Sequence, residues 1–143
     1  KDAGVTSIAF NLEVYDPKRF EELCPGKAQF YGYNKWKESL IEAKAVFGNY
    51  NVFCGLVWGL ESPESTIAGH RYFLENGIGI ASNVFHADPI SDLKRFSHPT
   101  EEQILQVARA ESELYKNYPE AKTIFSVSMR STLDWEIHRG DLG

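Results

Sequence analysis

An amide and a carboxylate stand two residues apart in Phe10-Asn11-Leu12-Glu13-Val14-Tyr15-Asp16, inside what is otherwise an apolar strand. Alternation along a strand puts Asn11 and Glu13 on one face and Phe10, Leu12 and Val14 on the other. If the apolar face packs under helices, the polar pair points into a sheet or barrel, where a carboxylate is costly unless something pairs with it. A bound ligand can supply that partner, and so can a lysine or arginine of the barrel itself. The residues alone leave both readings open.

Polar groups from two further strand ends converge with this pair. The ends supply Tyr15, then Trp58, Gly59 and Glu61, then Asn83, His86 and Asp88, and ligands of parallel sheets and barrels sit at carboxyl ends of strands. Gly55, Gly59 and Gly79 fall in or beside strands, where glycine ordinarily weakens the element. Close approach to a flat ligand such as a nucleobase would explain Gly55 and Gly59, as would crowding at a barrel corner; for Gly79 crowding is the simpler account. His86-x-Asp88 offers ligand types that suit zinc, iron or manganese. A lone pair of this kind at a strand-to-loop junction is more readily a loop start or a substrate contact. His70 lies on a helix with no evident route to join it, and His98 and His138 read as solvated. Cys24 and Cys54 have no base at local spacing, so both read as structural, Cys54 in the core. There is no Gly-x-Gly-x-x-Gly after a strand and no phosphate loop. No catalytic residue and no metal ligand is assigned.

Three apolar runs, 7–15, 51–60 and 78–86, are expected to form buried parallel strands, since they lack the polar alternation of a solvent-facing sheet. Asp16-Pro17 caps and opens a helix that Pro25-Gly26 should end. Asn34 is the expected cap of a second helix stopping at Gly48. Ser62-Pro63 opens a third running to Asn76-Gly77. Thr100 with Gln103 is a capping-box pattern for a helix to about Tyr115. Beyond Pro119, a strand over 122–128 and a helix over 130–138 are expected. Strands alternating with helices give right-handed crossovers and a parallel sheet. Three such units make half of a barrel, with an edge exposed at the first strand.

The 143 residues are one domain's worth, 43% hydrophobic, which suffices for a core. A net charge of −5, with basic residues scattered, argues against a nucleic-acid partner. No apolar run approaches the roughly 20 residues of a membrane span. Two cysteines without a disulfide or metal spacing, and no signal peptide, favour a reducing, cytoplasmic setting. A chain that opens at Lys1 without methionine, on what reads as a frayed helix end, is expected to be a portion of a longer protein.

The series from Phe10-Asn11-Leu12-Glu13, through Cys24-Pro25-Gly26-Lys27 and Gly55-Leu56-Val57-Trp58-Gly59-Leu60-Glu61, to Asn83-Val84-Phe85-His86 resembles the radical S-adenosylmethionine (radical SAM) superfamily, above all its biotin synthase-like branch. The resemblance covers about residues 5–95. It implies an α/β fold: half of a partial TIM-type barrel, strands four to six of a six-stranded (β/α) core, over residues 1–97, with the last barrel helix and a C-terminal tail over 98–143. By the same resemblance Asn11 and Glu13 hold the adenosyl ribose, and Gly55, Val57 and Gly59 lie against the adenine, which the segment through Val84 and Phe85 flanks. Asn83 faces substrate, with His86 beside it. Glu13 stands where biotin synthases have aspartate, a side chain whose carboxylate accepts hydroxyl hydrogen bonds equally well.

The departures are specific. The acidic residue that closes the fifth-strand pattern is displaced, with Ser62 in its place and Glu61 one position early. Tyr31 falls near the position of an arginine expected after the fourth strand. The Cys-x-x-x-Cys-x-x-Cys loop that binds the 4Fe-4S cluster is absent, as is the methionine-binding motif of the second strand, and Cys24 and Cys54 cannot replace that loop. The resemblance therefore implies an enzyme that cleaves S-adenosylmethionine reductively to a 5′-deoxyadenosyl radical for hydrogen abstraction. This portion supplies the adenosine cradle and part of the substrate wall and is inactive alone. The partners implied are the missing N-terminal half-barrel with its cluster, a reductant such as flavodoxin or ferredoxin, and an unknown small-molecule or peptide substrate. Segment 130–135 is a further candidate contact. The alternatives are a metal-dependent hydrolase or aldolase using His86 and Asp88, or a non-catalytic α/β binding domain.

Overall fold

The three apolar runs form parallel strands, but each is broken near its middle. The computed structural model describes residues 2–126 and 132–142. Its strands are β1 (Ile8–Ala9), β2 (Val52–Cys54), β3 (Val57–Trp58), β4 (Gly79–Ile80) and β5 (Asn83–Val84). β1, β2 and β4 lie side by side in that order, all parallel, and β3 and β5 continue β2 and β4 as a second parallel pair. Beyond β1 the first run rejoins its neighbour through one parallel bridge, Glu13 to Leu56. β2 is buried along its whole length, which is why its sequence shows no polar alternation. β1 forms an edge, with Ile8 and Ala9 exposed.

The helices start and stop largely on their sequence signals. Asp16 caps α1 (Pro17–Leu23) through Arg19 N at 2.9 Å. α1 ends at Leu23, just before Pro25-Gly26 as expected, but the pair also opens a further helix, α2 (Pro25–Phe30), directly after Cys24, because proline at a first helical position has no N–H to leave unpaired. Asn34 is not a cap: α3 (Tyr33–Phe47) follows Gly32, whose φ of 83° makes the turn, and ends at Gly48 with φ 91°. Ser62 caps α4 (Pro63–Glu75), and both halves of the Thr100–Gln103 capping box are formed at α5 (Glu101–Asn117).

The expected strand over 122–128 is replaced by a 3-10 helix, Pro119–Ser126. Ala121 and Ile124, three apart, are both buried, matching a three-residue turn and not the two-residue period of a strand. The expected helix over 130–138 appears as α6 (Asp134–Arg139); Arg130 and its neighbours in 127–131 lie outside the described residues.

Two cores result. Val52, Cys54 and Leu56 face α1, α3 and α4, with Leu12, Val14, Phe20, Leu40 and Phe73. Phe53, Trp58 and Ile80 instead meet Val107 and Tyr115 of α5, together with Ile124 and Ile137. The described residues thus make a mixed α/β fold of short parallel strands without a closed barrel.

Candidate functional site

Burial alternates along the second half of the sheet. Leu12, Val14, Leu56, Trp58 and Ser82 are buried, while Asn11, Glu13 and Val57 are half-buried and Asn83 is exposed. Val57 and Asn83 are direct partners across the β3–β5 pair. One open face therefore presents Asn11, Glu13, Val57 and Asn83, as the period of two requires.

The first strand reaches that face through a bulge. Ala9 pairs with Phe53, but Glu13 pairs with Leu56, so the offset between partners falls by one residue. Phe10 N donates to Phe53 O (3.2 Å) and Glu13 N to Gly55 O (3.1 Å), three residues stepping past two. Asn11 fills the gap: its Oδ1 accepts the Gly55 N–H at 2.9 Å. Glu13 carries the strain of the bulge at φ 76°, a conformation that costs a residue with a side chain about 1–3 kcal/mol.

Lys27 of α2 then closes over both groups. Its Nζ donates to the Asn11 carbonyl (2.9 Å) and to Glu13 Oε1 (2.6 Å), and lies 4.8 Å from the centre of the Trp36 ring. The internal ion pair that the sequence left open is thus formed. Among the described residues, however, Glu13 Oε2 and the Asn11 side-chain NH2 have no hydrogen-bond partner. Local spacing does not single out Lys27 over Lys18 or Arg19, because its placement depends on α2.

The strand glycines answer to the chain itself. A Cβ on Gly55 would stand 2.5 Å from Ala81 O and 2.9 Å from Asn11 Oδ1; on Gly59, 2.7 Å from the Pro99 ring; on Gly79, 2.4 Å from the Phe53 ring. Internal crowding accounts for all three. Beyond the strand ends, the Glu61 carboxylate accepts from Tyr15 N (2.8 Å), Asp16 N (2.7 Å) and Ser65 Oγ (2.8 Å), tying the end of the first strand to the start of α4. An open polar cavity of about 390 Å³ lies there, between Arg19, Glu61, Ser65 and Gln103.

Val84 is not on the open face, and Phe85 is covered rather than open. Val84 packs against the α5 core, and Phe85 is buried in the other core, edge-on to Phe96 at 6.4 Å. His86 and Asp88 are exposed, and Asp88 Oδ1 accepts Ile90 N at 2.9 Å, a loop-start turn. Tyr31 is exposed, and its ring packs edge-on to Trp36 at 5.6 Å. Among the described residues no three His, Cys, Asp or Glu side chains gather to hold a metal. Burial raises the Cys24 thiol above its ordinary value, and pushes Cys54 up to about 12. At pH 8 a thiol with that pKa is thiolate in only about one molecule in ten thousand. Iodoacetamide on the folded protein is therefore expected to modify Cys24 slowly and leave Cys54 untouched until denaturant is added, as peptide mass spectrometry would show; equal labelling would contradict the burial of Cys54.

His70, set aside in the sequence, is fully buried. Its Nε2 lies 2.9 Å from Ser82 Oγ and its Nδ1 3.3 Å from Glu111 Oε2.

Comparison with known proteins bears on this geometry at one point. The chain is 26% identical over 119 residues to the bacteriochlorophyllide c C-7(1)-hydroxylase of Chlorobaculum limnaeum, a match taking in 82% of this chain and 30% of the hydroxylase. The chain is similar to part of an enzyme. It spans less than a third of that relative's length. No family model matches it, and no solved structure matches it significantly. No helix among the described residues is long and apolar enough to cross a membrane.

Proposed function

We propose that this chain is the C-terminal portion of a radical SAM enzyme and that the open face is its adenosine cradle. The observation that carries the reading is the Asn11–Glu13 pair: at a strained bulge, it keeps a carboxylate oxygen and an amide NH2 without partners on an accessible parallel face. That donor and acceptor set fits vicinal ribose hydroxyls, each of which can donate to a carboxylate and accept from an amide. The similarity to a hydroxylase supports the same class, because hydroxylation on carbon begins by breaking a C–H bond.

In this reading Asn11 and Glu13 orient the ribose, and the backbone at Gly55 and Gly59, with the Val57 side chain, borders the adenine. Val84 and Phe85 support that border from behind. Asn83 and His86 face the substrate. Lys27 holds Glu13 in place and neutralises the face near the ligand's carboxylate end, where Tyr31 gives no charge. S-adenosylmethionine with a reduced 4Fe-4S cluster supplies a 5′-deoxyadenosyl radical when both are bound in the whole protein. Cys24 and Cys54 do not fit that cluster, because two cysteines 30 residues apart, one of them fully buried, do not make a Cys-x-x-x-Cys-x-x-Cys loop, so its ligands belong to the other half of the barrel. That half would cover the β1 edge, where Ile8 is 37% exposed. The hydrolase or aldolase alternative has less support, because Asp88 is engaged in a turn.

The test uses the whole protein, prepared without oxygen. We expect about four iron and four sulfide per chain, a Cys-x-x-x-Cys-x-x-Cys loop encoded upstream, and 5′-deoxyadenosine released from S-adenosylmethionine on reduction. A protein with neither cluster nor loop ends the reading.

A further inference from the structure

A buried polar chain crosses the core behind the candidate site. Ser82 lies between β4 and β5, opposite the break between β2 and β3. At that break two amides turn to side chains: Gly55 N to Asn11 Oδ1 (2.9 Å) and Leu56 N to Ser82 Oγ (3.3 Å). Asn11 does this on the open side. Ser82 does it on the closed side, 1% exposed, with His70 and Glu111 behind it at 0% and 1%. The neighbouring ladder continues on either side, Ala81 N to Cys54 O (3.1 Å) and Asn83 N to Leu56 O (3.2 Å).

Hydrogen-bond direction follows from the groups present. The Ser82 oxygen accepts the Leu56 N–H, so its own proton needs an acceptor. His70 Nδ1 stands 3.3 Å from a carboxylate oxygen of Glu111, an ion-pair distance without aligned hydrogen-bond geometry; a ring proton drawn to that carboxylate leaves Nε2 to accept the Ser82 O–H at 2.9 Å. The order is Leu56 N–H to Ser82 O–H to His70 to Glu111. A serine hydroxyl has three rotamers; the imidazole selects the one whose lone pair meets the Leu56 amide. A carboxylate and an imidazole taken out of water stabilise the fold little by themselves, but they define an orientation that an apolar core could not.

We propose that His70, oriented by Glu111, is a positioning residue: through Ser82 it fixes the mid-sheet break and so aims Val57 and Asn83 onto the open face. Val57 and Asn83 directly follow the two tethered positions, Leu56 and Ser82, and are paired to each other. Its consequence for ligand affinity rests on the S-adenosylmethionine reading, whereas the polar chain does not.

The experiment measures amide hydrogen exchange and S-adenosylmethionine affinity in the whole protein, for wild type and for Ser82→Ala, His70→Met and His70→Gln. Ser82→Ala and His70→Met are expected to speed exchange of the Leu56 amide about tenfold, the loss of one hydrogen bond, while the Phe10 and Phe85 amides hold their rates. Affinity should fall by a similar factor. His70→Gln, whose side-chain oxygen can take the place of Nε2, is expected to restore both. Unchanged Leu56 exchange in Ser82→Ala overturns the proposal, as does acceleration shared equally by all core amides. A wild type that binds no S-adenosylmethionine would sink the cofactor reading instead, and the exchange arm would still decide the network.

Discussion

Glu13→Ala in the intact protein is expected to weaken S-adenosylmethionine binding about 10- to 100-fold while changing stability by less than about 1 kcal/mol. A hydrogen bond to a charged group contributes about 1.5–3 kcal/mol, and each 1.4 kcal/mol is about tenfold in affinity. The fold loses far less. The Glu13–Lys27 pair has side chains about 30% exposed, and ion pairs so open to water contribute about 0–1 kcal/mol. Glu13→Gly sharpens the contrast, since glycine takes φ 76° without strain and recovers roughly 1 kcal/mol while losing the same ligand contacts. Calorimetric titration and urea unfolding on the two variants separate the effects. Unchanged affinity would remove Glu13 from the ligand site; a large stability loss with unchanged affinity would make it a structural residue.

Gly55→Ala is expected to be the most damaging single methyl addition in the sheet, at about 3 kcal/mol. The new Cβ would meet the Ala81 carbonyl, a backbone atom held between β4 and β5, and would displace the Asn11 side chain. Overpacking costs about 1–3 kcal/mol, and leaving the buried Gly55 N–H without its acceptor adds about 1–3 kcal/mol. Gly79→Ala meets the Phe53 ring, a side chain and not backbone, and displaces no hydrogen-bonded group. The urea midpoints should therefore fall most for Gly55→Ala. A neutral Gly55→Ala would mean that Asn11 does not close the bulge.

Much of this was legible in the residues. The three strands, their parallel pairing and the caps at Asp16, Ser62 and Thr100 follow from apolar runs and terminal side chains that act locally. The shared side of Val57 and Asn83 follows from simple alternation, whereas the facing of Glu13 depends on the bulge. What escaped depends on packing between distant segments. The break at Gly55 is set by Asn11 and Ser82, 44 and 26 residues away along the chain. The Lys27 contact needed α2, a second helix that starts at the same Pro25-Gly26 pair that ends the first. The strand expected over 122–128 gives way because Ala121 and Ile124, three apart, both face the core.

His70 and Glu111 were within reach. The buried positions of α4 are Thr66, Gly69, His70, Phe73 and Leu74, an unbroken i, i+3, i+4 stripe that contains the histidine. Glu111 falls likewise among Val107, Ala108, Ser112 and Tyr115 on α5. An ionisable residue standing in an apolar stripe is the signal, and it is carried by helices rather than by strand ends.

The bulge at Asn11 makes the site a matter of parity. Upstream and downstream of it, the first strand runs out of phase with its neighbour, and the extra residue sets which side of the sheet receives the carboxylate. Deleting one residue between Phe10 and Glu13 would restore an unbroken ladder and carry Glu13 toward the helices, into the layer that Leu12 and Val14 now fill. Any alignment of this chain that slides a one-residue gap across that short stretch exchanges ligand-facing positions for core positions, while its percentage identity hardly changes.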